Sequence, residues 1–311
     1  MIWRLAQAVV GIALIFALGL LAWRWGVDGD WRLARLTPAA QIETRAAMAI
    51  VDPGPPSQAP CPPAPAFAPA ASQNAASLST AAWSVFGRPE AGWEIYAPLT
   101  AAEIGTTCLP DSPGFAQALA TWQADQRLTA SGVMDAPTLD VLRVAWLRRR
   151  PFVAASAHGV CPPPPNPDRL SLIPPDEAYG VGLQLRTGAL EAHRRMIEAA
   201  RAESPDLAAD PRLLRIFSGY RDPVPDAVRC ALMQDCGTIV RANCSAHRTG
   251  LAMDLFLGSA PGHRPDSADD ANRLFQSRSP AYRWMVLNAG RFGFVNYAFE
   301  PWHWEWIGEA P

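Results

Sequence analysis

Two runs near the C-terminus hold residue types that could do chemistry together. The first is Ser245-Ala246-His247-Arg248-Thr249-Gly250-Leu251-Ala252-Met253-Asp254. The second is Glu300-Pro301-Trp302-His303-Trp304-Glu305-Trp306. The chain has only five His, and two of them fall in these runs. A catalytic zinc takes about three protein ligands, from imidazole nitrogen or carboxylate oxygen, and leaves one position open. His247, Asp254 and His303 supply that set. A nearby carboxylate would act as general base on the attacking water. Glu300 and Glu305 are both candidates for that role. His158, His193 and His263 lack comparable surroundings and read as non-ligands.

Such residues need elements that aim them. Leu251 to Leu257 is strand-like, so Ala252, Asp254 and Phe256 share one face by the period of two, with Met253 and Leu255 packing behind. Trp302, Trp304 and Trp306 alternate with His303 and Glu305 in the same way. That pattern predicts a strand with a tryptophan core face and a histidine site face. Pro301 predicts a turn that carries Glu300.

These residues carry a resemblance. The pattern SxHxxGxAxD followed by ExWH resembles the zinc D-alanyl-D-alanine carboxypeptidase family of the VanY, VanX and LAS type. Ser218-Gly219-Tyr220-Arg221-Asp222 is similar to its SGYR motif, and Tyr282 to Phe294 resembles the helix and turn before ExWH. The likeness covers roughly residues 185–308. It implies an α+β, LAS/Hedgehog-like domain, a small antiparallel sheet flanked by helices. Gly188 to Glu203 is then one flanking helix, and Leu213 to Phe217 the strand leading to Arg221. It also implies that His247, Asp254 and His303 bind zinc and that Glu300, not Glu305, is the base. Arg221 becomes the cation that steadies the developing oxyanion. Ser245 hydrogen-bonds substrate or orients His247. The implied reaction is hydrolysis of peptidoglycan stem peptides, with release of a terminal D-Ala. An endopeptidase, an L,D-carboxypeptidase and a catalytically silent wall-binding scaffold are the alternatives. The chain departs from the family where Asp222-Pro223-Val224-Pro225 follows SGYR and where Cys236 and Cys244 precede Ser245. Both departures fall where substrate selectivity should lie.

Upstream, Leu5 to Trp23 is apolar apart from Gln7 and would span roughly 28 Å as a helix, close to the hydrocarbon thickness of a bilayer. Trp3, Trp23 and Trp25 sit at its ends, where aromatic rings favour the headgroup zone. Ala22-Trp23-Arg24-Trp25, which follows, is a poor cleavage site, and a cleaved signal peptide, the alternative, would equally send the rest of the chain across the membrane. Residues 1–27 therefore read as a signal anchor that holds the rest of the chain in the periplasm or cell envelope. Residues 28–77 read as a Pro/Ala-rich linker. Residues 78–150 form a helical segment, and Pro162 to Pro165 mark a second linker over 151–165. Residues 166–311 form the domain with the chemistry. Within the helical segment, Phe115, Leu119 and Trp122 fall at helical spacing, Thr129 to Gly132 breaks the pattern, and Pro137 opens a second helix. Gln123, Gly132, Asp135, Thr138 and Leu139 make this stretch similar to a small peptidoglycan-binding module. The resemblance implies contact with the wall by a part whose removal leaves chemistry on small peptides in place.

Six Cys in a chain placed outside the cytoplasm favour disulfides. Their spacing suggests one bridge from the middle segment to a Pro-rich linker and another bracing the loop before Ser245. A net charge of −2 excludes an electrostatic case for nucleic acid.

Overall fold

The computed structural model describes residues 61–233 and 244–311. The anchor expected over 1–27, the part of the expected 28–77 linker before Cys61, Cys236, Arg241 and the side chain of Cys230 lie outside the described residues. Among the described residues no helix is long and apolar enough to cross a membrane.

The first part is mostly helical. It comprises α1 (Ala68–Ser77), a short hairpin of β1 (Ala82–Trp83) and β2 (Glu90–Ala91), then α2 (Ala97–Glu103), α3 (Pro113–Asp125), α4 (Ala136–Arg149) and α5 (Pro151–Ala155). The turn between α3 and α4 shows why its motif residues are there. Gln123 Nε2 donates to Val133 O and Thr138 Oγ1, while its Oε1 accepts the Gly132 N–H. Asp135 caps α4 by accepting the Thr138 N–H at 3.0 Å.

The second part holds β3 (Leu170–Leu172), β4 (Gln184–Arg186), α6 (Thr187–Glu203), α7 (Pro205–Ala209), β5 (Ile216–Ser218), α8 (Pro223–Met233), β6 (Ala252–Leu255), α9 (Asp270–Arg278), α10 (Pro280–Asn288), β7 (Phe294–Tyr297) and β8 (Glu300–Trp306). Four strands form an antiparallel sheet in the order β5-β6-β8-β7. The fold is α+β. The sheet's apolar face carries Met253, Leu255, Trp302, Trp304 and Trp306, and these pack with Leu190 and Met196 of α6 and Tyr282 and Met285 of α10. The period-two reading of both strands therefore holds.

Both expected linkers contain helix: 68–77 forms α1, where buried Asn74 donates to Gly132 O and accepts the Met134 N–H of the α3–α4 turn, and 151–155 forms α5. Two further details differ from expectation. Pro301 makes no turn; it lies inside β8, and the chain reverses at Ala298-Phe299. Pairing with β6 begins only at His303, and the β7 ladder shifts register between Asn296 and Tyr297, so the missing proline N–H interrupts no regular ladder there. Asn296 Nδ2 instead gathers the carbonyls of Glu300, Pro301 and His303. The strand expected over Leu213 to Phe217 starts at Ile216. Leu214 has φ 65°, and its N–H is taken by Phe256 O, so the chain turns before it extends.

The two parts share a buried polar seam. Arg273 of α9 is fully buried and donates to Phe299 O at 2.8 Å and to Tyr96 Oη at 2.6 Å. Tyr96 Oη donates in turn to Glu90 at 2.6 Å. Phe86 of the hairpin packs edge-on against Tyr297 and Phe299. Two disulfides brace the ends of this arrangement. Cys61–Cys108 ties the Pro-rich segment to the helical part, and Cys161–Cys244 ends on the residue before Ser245.

Candidate metal centre

Each site residue owes its position to a local device. Ser245 caps a short 3-10 turn over Ala246–Thr249 by accepting the His247 N–H. Gly250 closes that turn at φ 70°, a left-handed conformation that favours glycine, and feeds the chain into β6. Arg186 Nε pins the turn by donating to Thr249 O at 2.8 Å. Asp254 on β6 then stands directly opposite His303 on β8.

The three expected ligands converge. His247 Nε2 lies 3.2 Å from Asp254 Oδ1, and His303 Nδ1 lies 3.0 Å from the same oxygen. Their ligand atoms all fall within 4.8 Å of one another, and all three residues are buried. The far side of each ring is also occupied. His247 Nδ1 sits 2.7 Å from Gly219 O. A carbonyl can only accept, so Nδ1 carries the hydrogen and Nε2 turns its lone pair inward. His303 Nε2 sits 3.3 Å from Glu305 Oε1, which orients that ring with Nδ1 inward.

Electrostatics follow from this packing. Burial works against charge on Asp254, yet the two imidazoles outweigh it and hold the carboxyl well below its usual range. Burial also opposes charge on His303, but hydrogen bonds to Asp254 and Glu305 push its pKa up to about 9. For His247, burial and then the nearby Arg221 push the pKa down. Without a cation His303 is therefore protonated and its Nδ1–H points at Asp254; a bound cation would displace that proton and take the inward Nδ1 lone pair. The donor set, its closeness and its outer partners fit a divalent cation held by two imidazoles and one carboxylate.

Glu300 Oε2 lies 3.8 Å from His303 Nδ1, and burial pushes its carboxyl up to about 7. A group titrating there can both accept and return a proton near neutral pH. Arg221 donates from Nη2 to Ser245 Oγ at 2.7 Å, and its backbone N–H donates to His247 O at 3.2 Å. Its Nε is buried with no partner among the described residues. Asp222 is spent elsewhere, accepting the Val224 N–H at the start of α8. Thus all six sequence-derived residues, His247, Asp254, His303, Glu300, Arg221 and Ser245, lie in one neighbourhood. His193 stays apart, with Nε2 2.9 Å from Leu214 O, and His263 pairs with Asp269 at 3.3 Å.

Sequence reasoning missed three contributors. Glu305 is a buttress to His303, a role signalled only by its place two residues along the same strand face. The Gly219 carbonyl, which faces His247, left no side-chain signal at all. The third is Arg150, whose Nε donates to Glu305 Oε1 at 2.7 Å from a position 155 residues away. Among known proteins, no family model matches the chain and no curated sequence matches it.

Proposed function

We propose that the chain is a zinc-dependent peptidase that hydrolyses peptidoglycan stem peptides outside the cytoplasmic membrane. In this reading the domain is LAS-like and the reaction removes a terminal D-Ala. The observation that carries it is the convergence of His247 Nε2, Asp254 Oδ1 and His303 Nδ1 beside a buried carboxyl, Glu300, that titrates near neutrality.

Zinc bound by these three residues would supply Lewis acidity at the scissile carbonyl. Glu300 takes a proton from the attacking water and returns it to the leaving amine. Arg221, held by Ser245, offers its guanidinium to the developing oxyanion. Gly219 and Glu305 keep the two imidazoles in one orientation throughout. A silent scaffold needs neither a carboxyl poised near neutrality nor a guanidinium with an unpartnered buried nitrogen. The motif residues of the middle segment are spent on its own turn, so they support its fold and say nothing for a glycan ligand.

The test is incubation of the full-length chain, supplied with zinc, with purified pentapeptide muropeptides, followed by mass spectrometry. Loss of one terminal alanine, abolished by chelation, is expected. Unchanged muropeptides would overturn the peptidase reading. Cleavage only within cross-linked dimers would replace the carboxypeptidase by an endopeptidase.

A further inference from the structure

Arg150 is the single residue between α4, which ends at Arg149, and α5, which begins at Pro151. Proline disfavours the helical conformation in the residue before it, and Arg150 accordingly sits at φ −74° and ψ 123°. That break turns the side chain out of the helical axis and into the sheet. Its guanidinium lies 4.0 Å above the Tyr297 ring, and Tyr297 in turn stands edge-on to His303. Nε and Nη2 approach Glu305 Oε1 at 2.7 and 2.5 Å. The Phe152 N–H donates to the other oxygen, Oε2, at 3.2 Å. In the first turn of α5 that amide has no partner within the helix, so Glu305 supplies one.

Glu305 is therefore fixed from one side by residues 150–152 and presents Oε1 to His303 Nε2 on the other. It is buried in a central strand, where a carboxylate without cationic partners would not stay ionised.

We infer that Arg150 is a positioning residue for the metal centre: the helical part of the chain completes the outer shell of His303 through Glu305. The inference rests on the reading of His303 as a zinc ligand. It makes the helical part a structural component of the active site. Its removal is then expected to impair metal binding even where no cell wall is present.

The experiment measures zinc affinity of the full-length chain by competition with a chromophoric chelator, apart from any turnover. Arg150→Met, Glu305→Gln and the double variant are compared with Arg149→Met, whose partner is Glu103 on α2. Near-UV circular dichroism checks folding. Should Arg150→Met unfold, Arg150→Lys carries the comparison, since it keeps a cation but loses the fork. Arg150→Met and Glu305→Gln are each expected to weaken zinc binding about 10–100-fold. The double variant should be no weaker than Glu305→Gln alone, because the arginine acts through that carboxylate. Arg149→Met should bind as the parent does. A folded Arg150 variant with parental affinity, or losses that multiply in the double variant, would overturn the inference and leave the zinc reading standing. A parent chain that binds no zinc would overturn both.

Discussion

Glu300 and Glu305 stand on the same strand and address opposite edges of one imidazole. Glu300 Oε2 lies 3.8 Å from His303 Nδ1, and Glu305 Oε1 lies 3.3 Å from Nε2. Both carboxyls are buried, but their surroundings drive them apart, to about 7 and about 2. Burial dominates at Glu300. At Glu305 it is outweighed by Arg150 and His303. One is thereby suited to exchange protons, and the other to remain an anion that holds a ring in place.

That separation predicts different failures. Glu300→Gln should retain zinc and lose about 10²–10⁴-fold in turnover, because an amide cannot take the proton. Glu305→Gln should weaken zinc binding first and lose activity in proportion. Metal analysis paired with rates at saturating zinc separates the two. Reversed phenotypes would mean that the base is Glu305.

Metal content tests the ligand set directly. His303→Ala should leave the purified chain with little bound zinc, measured by mass spectrometry of the metal. Full occupancy in that variant would remove His303 from the set.

A free C-terminus should matter to the substrate. A carboxypeptidase must find a partner for the terminal carboxylate, and Ser245, Arg241 and Arg248 are the candidates near the site in sequence. Leaving the polar groups that serve it unpaired costs roughly 1–3 kcal/mol, so an amidated D-Ala-D-Ala peptide should turn over about 10–100-fold more slowly. Equal rates on both peptides would move the assignment to an endopeptidase.

Acid should loosen the core at His193. Burial pushes this imidazole down to about 4, from 6.5 for an exposed histidine. The unfolded chain therefore binds the proton first. The stabilising contribution is fully present above about 6.5 and shrinks as pH falls toward 4, by up to roughly 3 kcal/mol in total. His193→Gln keeps a donor for Leu214 O and does not titrate. Its melting temperature should fall less than the parent's between pH 6.5 and 4. Parallel curves would exclude His193 as the source.

The sequence made the two ligand strands legible because alternation is a local signal. Met253 and Leu255 bury behind Asp254, and the tryptophans bury behind His303, as the period of two requires. α6 begins one residue before the expected Gly188 and ends at Glu203 as expected. Pro301 was misread because proline signals a turn wherever its surroundings are unknown. Here Asn296 collects the neighbouring carbonyls instead. The Leu213 strand was overextended because nothing in its apolar residues betrays the left-handed Leu214. Arg150 was invisible for a different reason. Its contact with Glu305 joins distant parts of the chain, and no periodicity links them.

The two imidazoles differ in who holds them. His247 is oriented by the carbonyl of Gly219, where a side chain has no room: a Cβ there would come within 2.3 Å of Gln184 O. That hold belongs to the main chain and survives any tolerated substitution at position 219. His303 is oriented by a side chain, which in turn depends on another side chain. In the proposed zinc site, affinity would therefore be tunable by replacement at the His303 end and fixed by the main chain at the His247 end. Of the two imidazoles in that proposed site, His303 is the adjustable one, and its controls lie at positions 150 and 305.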